Sequence, residues 1–157
     1  MCLTFLEKCL PMLTRSEIRT KYIPFIVKNF SNANQKIKIQ MLEILVYILV
    51  KIPDYQSRCL IHHFVNEDLA KSKSIYNRKL FIVFCSLICP KISKKYFKQV
   101  FAFSFLKIIE EKKKDIAITF AKHVVEVRKK IDDIVSTSKI ENTLNSMKNV
   151  FYKDELI

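Results

Sequence analysis

The sequence predicts an all-α protein built as an α-solenoid, a superhelical stack of antiparallel helix pairs. Three observations carry this expectation. Glycine is absent from all 157 residues. A β-rich or α/β domain needs residues at positive φ in its turns, so a chain without glycine is left with helices joined by short polar connections. Apolar residues recur at helical spacing through most of the chain, as in Asn77 to Pro90 (NRKLFIVFCSLICP), where Leu80, Phe81, Phe84, Cys85, Ile88 and Cys89 fill one broad face. Finally, a two-helix unit recurs about every 40 residues.

In chain order, Cys2 to Leu13 reads as a short apolar helix. Thr14 and Glu17 form a T-x-x-E capping box that opens a second helix to about Phe30, with Pro24 inside it as a kink. Ser31 to Gln35 is a turn, and Lys36 to Ile52 a strongly apolar helix. Pro53-Asp54 ends that helix and caps the next, about Tyr55 to Ala70. A polar turn at Lys71 to Tyr76 leads into the helix that stops near Pro90. That helix is too short to span a bilayer and is expected to be packed inside protein. Ser93 to Glu110 is a Phe-rich helix, Lys112 to Lys114 a basic turn, and Asp115 to Ile131 a helix. After a loop at Ser136-Thr137, Ser138 and Glu141 form another capping box for a last helix to about Tyr152.

The repeat emerges when second helices are overlaid on Lys38, Arg78 and Ala117, at offsets of 40 and 39 residues. Three residues on come Met41, Phe81 and Phe120; four on, Leu42, Ile82 and Ala121. Seven on come Leu45, Cys85 and Val124, and ten on, Ile48, Ile88 and Val127. Six residues before the markers lie the intra-pair turns, at Asn32, Ser72 and Glu111. This predicts one segment over residues 1–157, with pairs at about 15–52, 54–90 and 93–131 and partial units at 1–13 and 138–152.

KYIPFIVKNFSNANQKIKIQMLEIL resembles a HEAT unit: Pro24 stands for the first-helix proline, Asn32 for the turn aspartate, and Ile37-Lys38 for the usual Val-Arg. Asn77-Arg78, Phe81, Cys85, Phe97 and Phe105-Leu106 are similar to the HEAT arrays of protein phosphatase regulatory subunits, those of phosphatase 4 first and the phosphatase 2A scaffold more distantly. Ala117, where arginine is usual, departs from that pattern. The resemblance implies a non-catalytic scaffold or regulatory protein whose intra-repeat turns bind a protein partner, a serine/threonine phosphatase catalytic subunit among the options. Carried over, the binding ridge is Asn32, Asn34 and Lys36, then Lys73, Tyr76 and Arg78, then Lys112, Lys113 and Lys114.

The formal net charge of +13 opens a second reading, a basic solenoid associating with RNA, DNA or a ribonucleoprotein such as the ribosome. A plainer cause competes with it. Of 28 basic residues five are Arg, leaving 23 Lys, which together with abundant Ile, Asn and Phe matches the codon bias of an AT-rich genome.

The sequence offers no cofactor, metal or catalytic motif. Without glycine there is no P-loop, dinucleotide fingerprint or nucleophile elbow, and without Trp a HEAT-like DNA glycosylase is disfavoured. His62 and His63 diverge on a helix, and His123 falls on the core stripe in register with Ile44 and Phe84. Cys85 and Cys89 share a face but lack a matched Cys/His pair, so packing is the expected role. Glu110-Glu111 and Asp132-Asp133 read as solvated termini rather than an acid–base pair. Phe97, Phe101 and Phe105 share one core-facing stripe, whereas Phe103 lies off it and is the better candidate for an exposed contact. Five cysteines without a C-x-x-C pair, no basic apolar leader and a KDELI tail point to a reduced, cytoplasmic or nuclear setting.

Overall fold

The computed structural model describes residues 8–111, 113–131, 138–143, 145 and 146, and among these it is all-α. The first partial helix before residue 8, Lys112, Asp132-Asp133, the loop at Ser136-Thr137 and the end of the last helix lie outside the described residues. The chain divides into two compact units, Met1–Val65 and Asn66–Ile157.

In the first unit a short 3₁₀ turn (Leu10–Met12) precedes α1 (Arg15–Glu17), a π-helical turn (Ile18–Tyr22) and α2 (Ile23–Phe30), followed by α3 (Gln35–Lys51) and α4 (Tyr55–His63). The capping box forms as expected: Glu17 N–H donates to Thr14 Oγ1 at 3.2 Å and Thr14 N–H donates to Glu17 Oε2 at 2.9 Å. Asn34 Oδ1 accepts from Ile37 N–H at 3.0 Å to open α3, and Asp54 Oδ2 accepts from Ser57 N–H at 3.0 Å to open α4. Pro24 follows just after the π turn, inside a stretch that is helical from Arg15 to Phe30, and the widened i→i−5 bonding there, Ile23 N–H to the Ile18 carbonyl, accommodates a residue that cannot donate. The kink expected at Pro24 is thus preceded by a widened turn.

Ile18, Ile23, Ile26 and Phe30 are buried, as are Leu42, Leu45 and Ile48 of α3 and Ile61, Phe64 and Val65. The Phe30 and Phe64 rings meet edge to face at 5.1 Å. Lys38 is 8% exposed, and its ammonium lies 5.6 Å from the Phe30 ring centroid, where the ring quadrupole attracts it.

A second π-helical turn (Phe64–Ala70) precedes α5 (Ile75–Ile88), a 3₁₀ turn (Cys89–Lys91), α6 (Lys94–Val100), α7 (Ala102–Ile109) and α8 (Lys114–Arg128). Residues 138–143 are helical as well. The Phe-rich helix expected over Ser93 to Glu110 is broken at Phe101, whose φ of −119° and ψ of −27° depart from helical values. Asn66 ties this break down. Its Nδ2 donates to the Val100 carbonyl at 3.2 Å, while its Oδ1 accepts from Ser104 Oγ at 2.9 Å.

Six Phe side chains, at 81, 84, 97, 101, 105 and 120, are fully buried in the second unit. Phe84 meets Phe101 at 5.4 Å, Phe97 meets Phe101 at 6.2 Å and Phe105 at 6.3 Å, and Phe105 meets Phe120 at 5.7 Å. The stripe Phe97, Phe101, Phe105 is therefore core, joined to α5 through Phe84 and to α8 through Phe120. Helices α5 and α8 make the most extensive helix contact in the unit. Every overlaid repeat position among Met41, Phe81, Phe120, Leu42, Ile82, Leu45, Cys85, Val124, Ile48, Ile88 and Val127 is buried, and Ala121 alone of that set faces solvent. No helix among the described residues is long and apolar enough to cross a membrane.

Candidate functional site

The turns at Ser72 and Glu111, which the sequence overlay matches, are reached in the second unit by one side chain. Arg78 is 6% exposed. Its Nη1 donates to the Ser72 carbonyl, in the turn just before its own helix. Its Nε lies 3.2 Å from Glu111 Oε1. The Nε–H does not point at that oxygen, so this contact is an ion pair rather than a hydrogen bond. Lys113 Nζ lies 3.5 Å from the other Glu111 oxygen. Glu111 therefore sits between two cations, and the guanidinium holds two turns side by side.

Between these turns lies a cleft of about 700 Å³ whose lining includes Ser72, Lys73, Arg78, Phe103, Lys107, Glu111 and Lys113. Its charges are unequally committed. Lys71 is engaged by Glu67 at 2.6 Å, one helical turn back, and Arg78 and Lys113 by Glu111. Lys73 and Lys107 are exposed and hold no carboxylate among the described residues. Phe103 is 76% exposed at the same cleft, the off-stripe position expected from its spacing. Phe103 and Lys107 stand four residues apart on α7, so they share a face.

Of the ridge residues expected from the sequence, the structure brings Lys73, Arg78 and Lys113 to this one cleft. Lys114 begins α8 beside it in sequence, Tyr76 is half-buried, and Lys112 lies outside the described residues. Asn32, Asn34 and Lys36 are exposed in the first unit, with Asn34 committed to capping α3. Arg78 is a turn clamp more than an open contact. Sequence reasoning missed Lys107 and the clamping role of Glu111. Lys107 was within reach of it, because it follows the singled-out Phe103 by one helical turn.

The histidines and thiols lie elsewhere. His123 Nδ1 is 3.1 Å from Ser86 Oγ, and that hydroxyl also donates to the Val83 carbonyl at 2.7 Å. The Ser86 hydroxyl is thus shared between a backbone carbonyl and the imidazole. Burial, and Lys122 beside it, hold the His123 pKa below the ordinary imidazole value. Burial and Arg58 do the same to His62. Cys85 and Cys89 are fully buried. Burial pushes the Cys85 thiol well up and the Cys89 thiol up to about 12, so both stay protonated at neutral pH. The described residues hold no group of three or more His, Cys, Asp or Glu placed to bind a metal.

Compared with protein-family models, with curated proteins and with solved structures, the chain finds no match.

Proposed function

We propose that this chain is a non-catalytic, HEAT-like scaffold that holds a protein partner along its intra-pair turns, a serine/threonine phosphatase catalytic subunit being the partner class the sequence resemblance implies. The observation that carries this reading is the Arg78 clamp. One buried guanidinium joins the Ser72 carbonyl to Glu111, the two positions that the repeat register makes equivalent, and so sets successive turns next to each other with a cleft open between them. A second support comes from hydrogen bonds that recur at nearly the repeat length: Ser86 to His123 spans 37 residues, and Asn66 to Ser104 and Lys130 to the Ile92 carbonyl each span 38. Exposed turn residues on a rigid helical frame suit recognition better than chemistry, since acid–base work needs a shielded group with a tuned pKa.

The test is binding of purified phosphatase catalytic subunits to the immobilised chain in moderate salt. Reversing charge at Lys112, Lys113 and Lys114 should abolish capture while helicity by circular dichroism is unchanged. Capture that survives the reversal counts against the ridge. Binding of RNA instead, falling steeply as salt rises, would favour the basic-solenoid reading.

A further inference from the structure

We propose that the cleft between the Ser72 and Glu111 turns binds an acidic protein segment that carries an apolar side chain next to its carboxylates. The inference rests on the scaffold reading and adds the chemistry of what the scaffold recognises.

Two features of the cleft define the occupant. Phe103 is 76% exposed, while the Phe residues two places before and two places after it are fully buried. An aromatic side chain standing out of a well-formed aromatic core has its apolar face available for another apolar group. One helical turn further on is Lys107, and Lys73 lines the same cleft, both without a carboxylate among the described residues. The remaining cations are already occupied by Glu67 and Glu111. Among the described residues the cleft therefore presents one ring and two ammonium groups without a carboxylate, within about 700 Å³, enough room for a few residues of extended chain.

The count of free charges decides against other anions. Tracking a nucleic-acid backbone with useful affinity takes on the order of 6–10 phosphate contacts, and this cleft offers two lysines beside a fixed carboxylate, Glu111. A phosphorylated side chain is held best by an arginine fork, and the fork here is spent on Ser72 and Glu111. Lysine ammonium groups act as point charges and pair readily with carboxylates. Charge complementarity thus selects the acidic residues, and Phe103 selects the apolar neighbour.

The experiment is fluorescence anisotropy on the full chain with a labelled peptide of glutamates flanking one phenylalanine. Three controls are titrated in parallel: the peptide with alanine for its phenylalanine, the peptide with lysines for its glutamates, and a single-stranded oligouridine. Saturable binding of the first peptide is expected. Lys73→Glu with Lys107→Glu should weaken it about tenfold or more. Phe103→Ala should weaken it several-fold and remove the preference for phenylalanine over alanine in the peptide. Lys28→Glu in the first unit should leave it unchanged. All four residues are exposed, so unchanged helicity is expected and checked for each variant. No saturable binding, binding indifferent to Lys73, Lys107 and Phe103, or tighter binding of oligouridine through the same residues would overturn the proposal. If a phosphatase subunit is still captured through Lys113 and Lys114 while the peptide fails, the cleft assignment falls and the scaffold reading survives. Loss of both removes the common ground.

Discussion

Replacing Arg78 with alanine removes two contacts at once, and their sizes follow from where the atoms lie. The hydrogen bond from Nη1 to the Ser72 carbonyl is charge-assisted and almost fully enclosed, since the Arg78 side chain is 7% exposed. Such bonds are worth about 1.5–3 kcal/mol. The ion pair with Glu111 is weaker. The carboxylate keeps 29% of its surface and has Lys113 at 3.5 Å as a second cation, so losing the guanidinium does not strand it. That places the pair at about 1 kcal/mol, below the cost of about 3–5 kcal/mol for breaking a fully buried pair. The two contributions come to about 3 kcal/mol, a large share of the stability of an ordinary domain.

Urea unfolding followed by far-UV circular dichroism reads this out. With a slope of about 2 kcal/mol per molar urea, the Arg78→Ala midpoint should fall by about 1.5 M. Arg78→Lys should recover less than half, because an ammonium group cannot reproduce the planar fork that meets a carbonyl and a carboxylate together. A double-mutant cycle of Arg78→Ala with Glu111→Gln should give a coupling of about 1 kcal/mol. A midpoint shift worth less than about 0.5 kcal/mol, full rescue by lysine, or strict additivity in the cycle would each refute the clamp.

Other outcomes are expected from the same structure. Asn66→Ala strips the Val100 carbonyl and the Ser104 hydroxyl of their partner at the α6–α7 break and should cost about 1–3 kcal/mol by urea unfolding, with Asn66→Asp failing to rescue because it cannot donate to Val100. Asp54→Ala removes the cap of α4 and should cost about 1 kcal/mol in the same assay. Because the His123 and His62 pKa values are held below that of an unfolded imidazole, the unfolded chain binds protons first as pH falls. Their contribution to stability is complete above about pH 6.5 and is lost as pH drops from there through the lowered values. His123→Gln should flatten that part of the pH–stability profile, measured by thermal unfolding across the acidic range. Cys85 and Cys89, protonated and enclosed, should react with a thiol reagent only as fast as the chain opens, whereas exposed Cys59 should react at once.

The helix starts were the most legible part of the fold. Thr14, Asn34, Asp54 and Ser93 each accept from a backbone N–H within the first turn, and short polar side chains next to apolar runs announce this in sequence. The break at Phe101 was not legible, because Phe97, Phe101 and Phe105 keep their spacing across it and remain on the buried side. Periodicity records which face a residue takes, and a local change in backbone bonding that preserves the face leaves no mark. The π turn at Phe64–Ala70 is hidden for a similar reason. At the candidate site, Phe103 could be singled out from its register. The burial of Arg78 and its bond to Glu111 could not, since both depend on a turn more than thirty residues away in the chain.

The match of Lys38 with Arg78 in the sequence overlay gives the clamp a wider meaning. Both are buried cations, Lys38 at 8% exposure and Arg78 at 6%, each within its own unit. They meet that burial differently. Lys38 sets its ammonium over the Phe30 ring at the end of the preceding helix, while Arg78 turns outward to a carbonyl and a carboxylate in two turns. Lysine on a solvated face costs little to place. A charge enclosed beside an aromatic ring or clamped between turns is different, because a buried cation without compensating contacts costs several kcal/mol. The net charge of +13 therefore combines cations on solvated faces with a few that are enclosed by the fold. Lys73 and Lys107, which hold no carboxylate among the described residues, line the same cleft as Arg78 and the exposed Phe103. That position, more than the total charge, is the reason to look for a partner there.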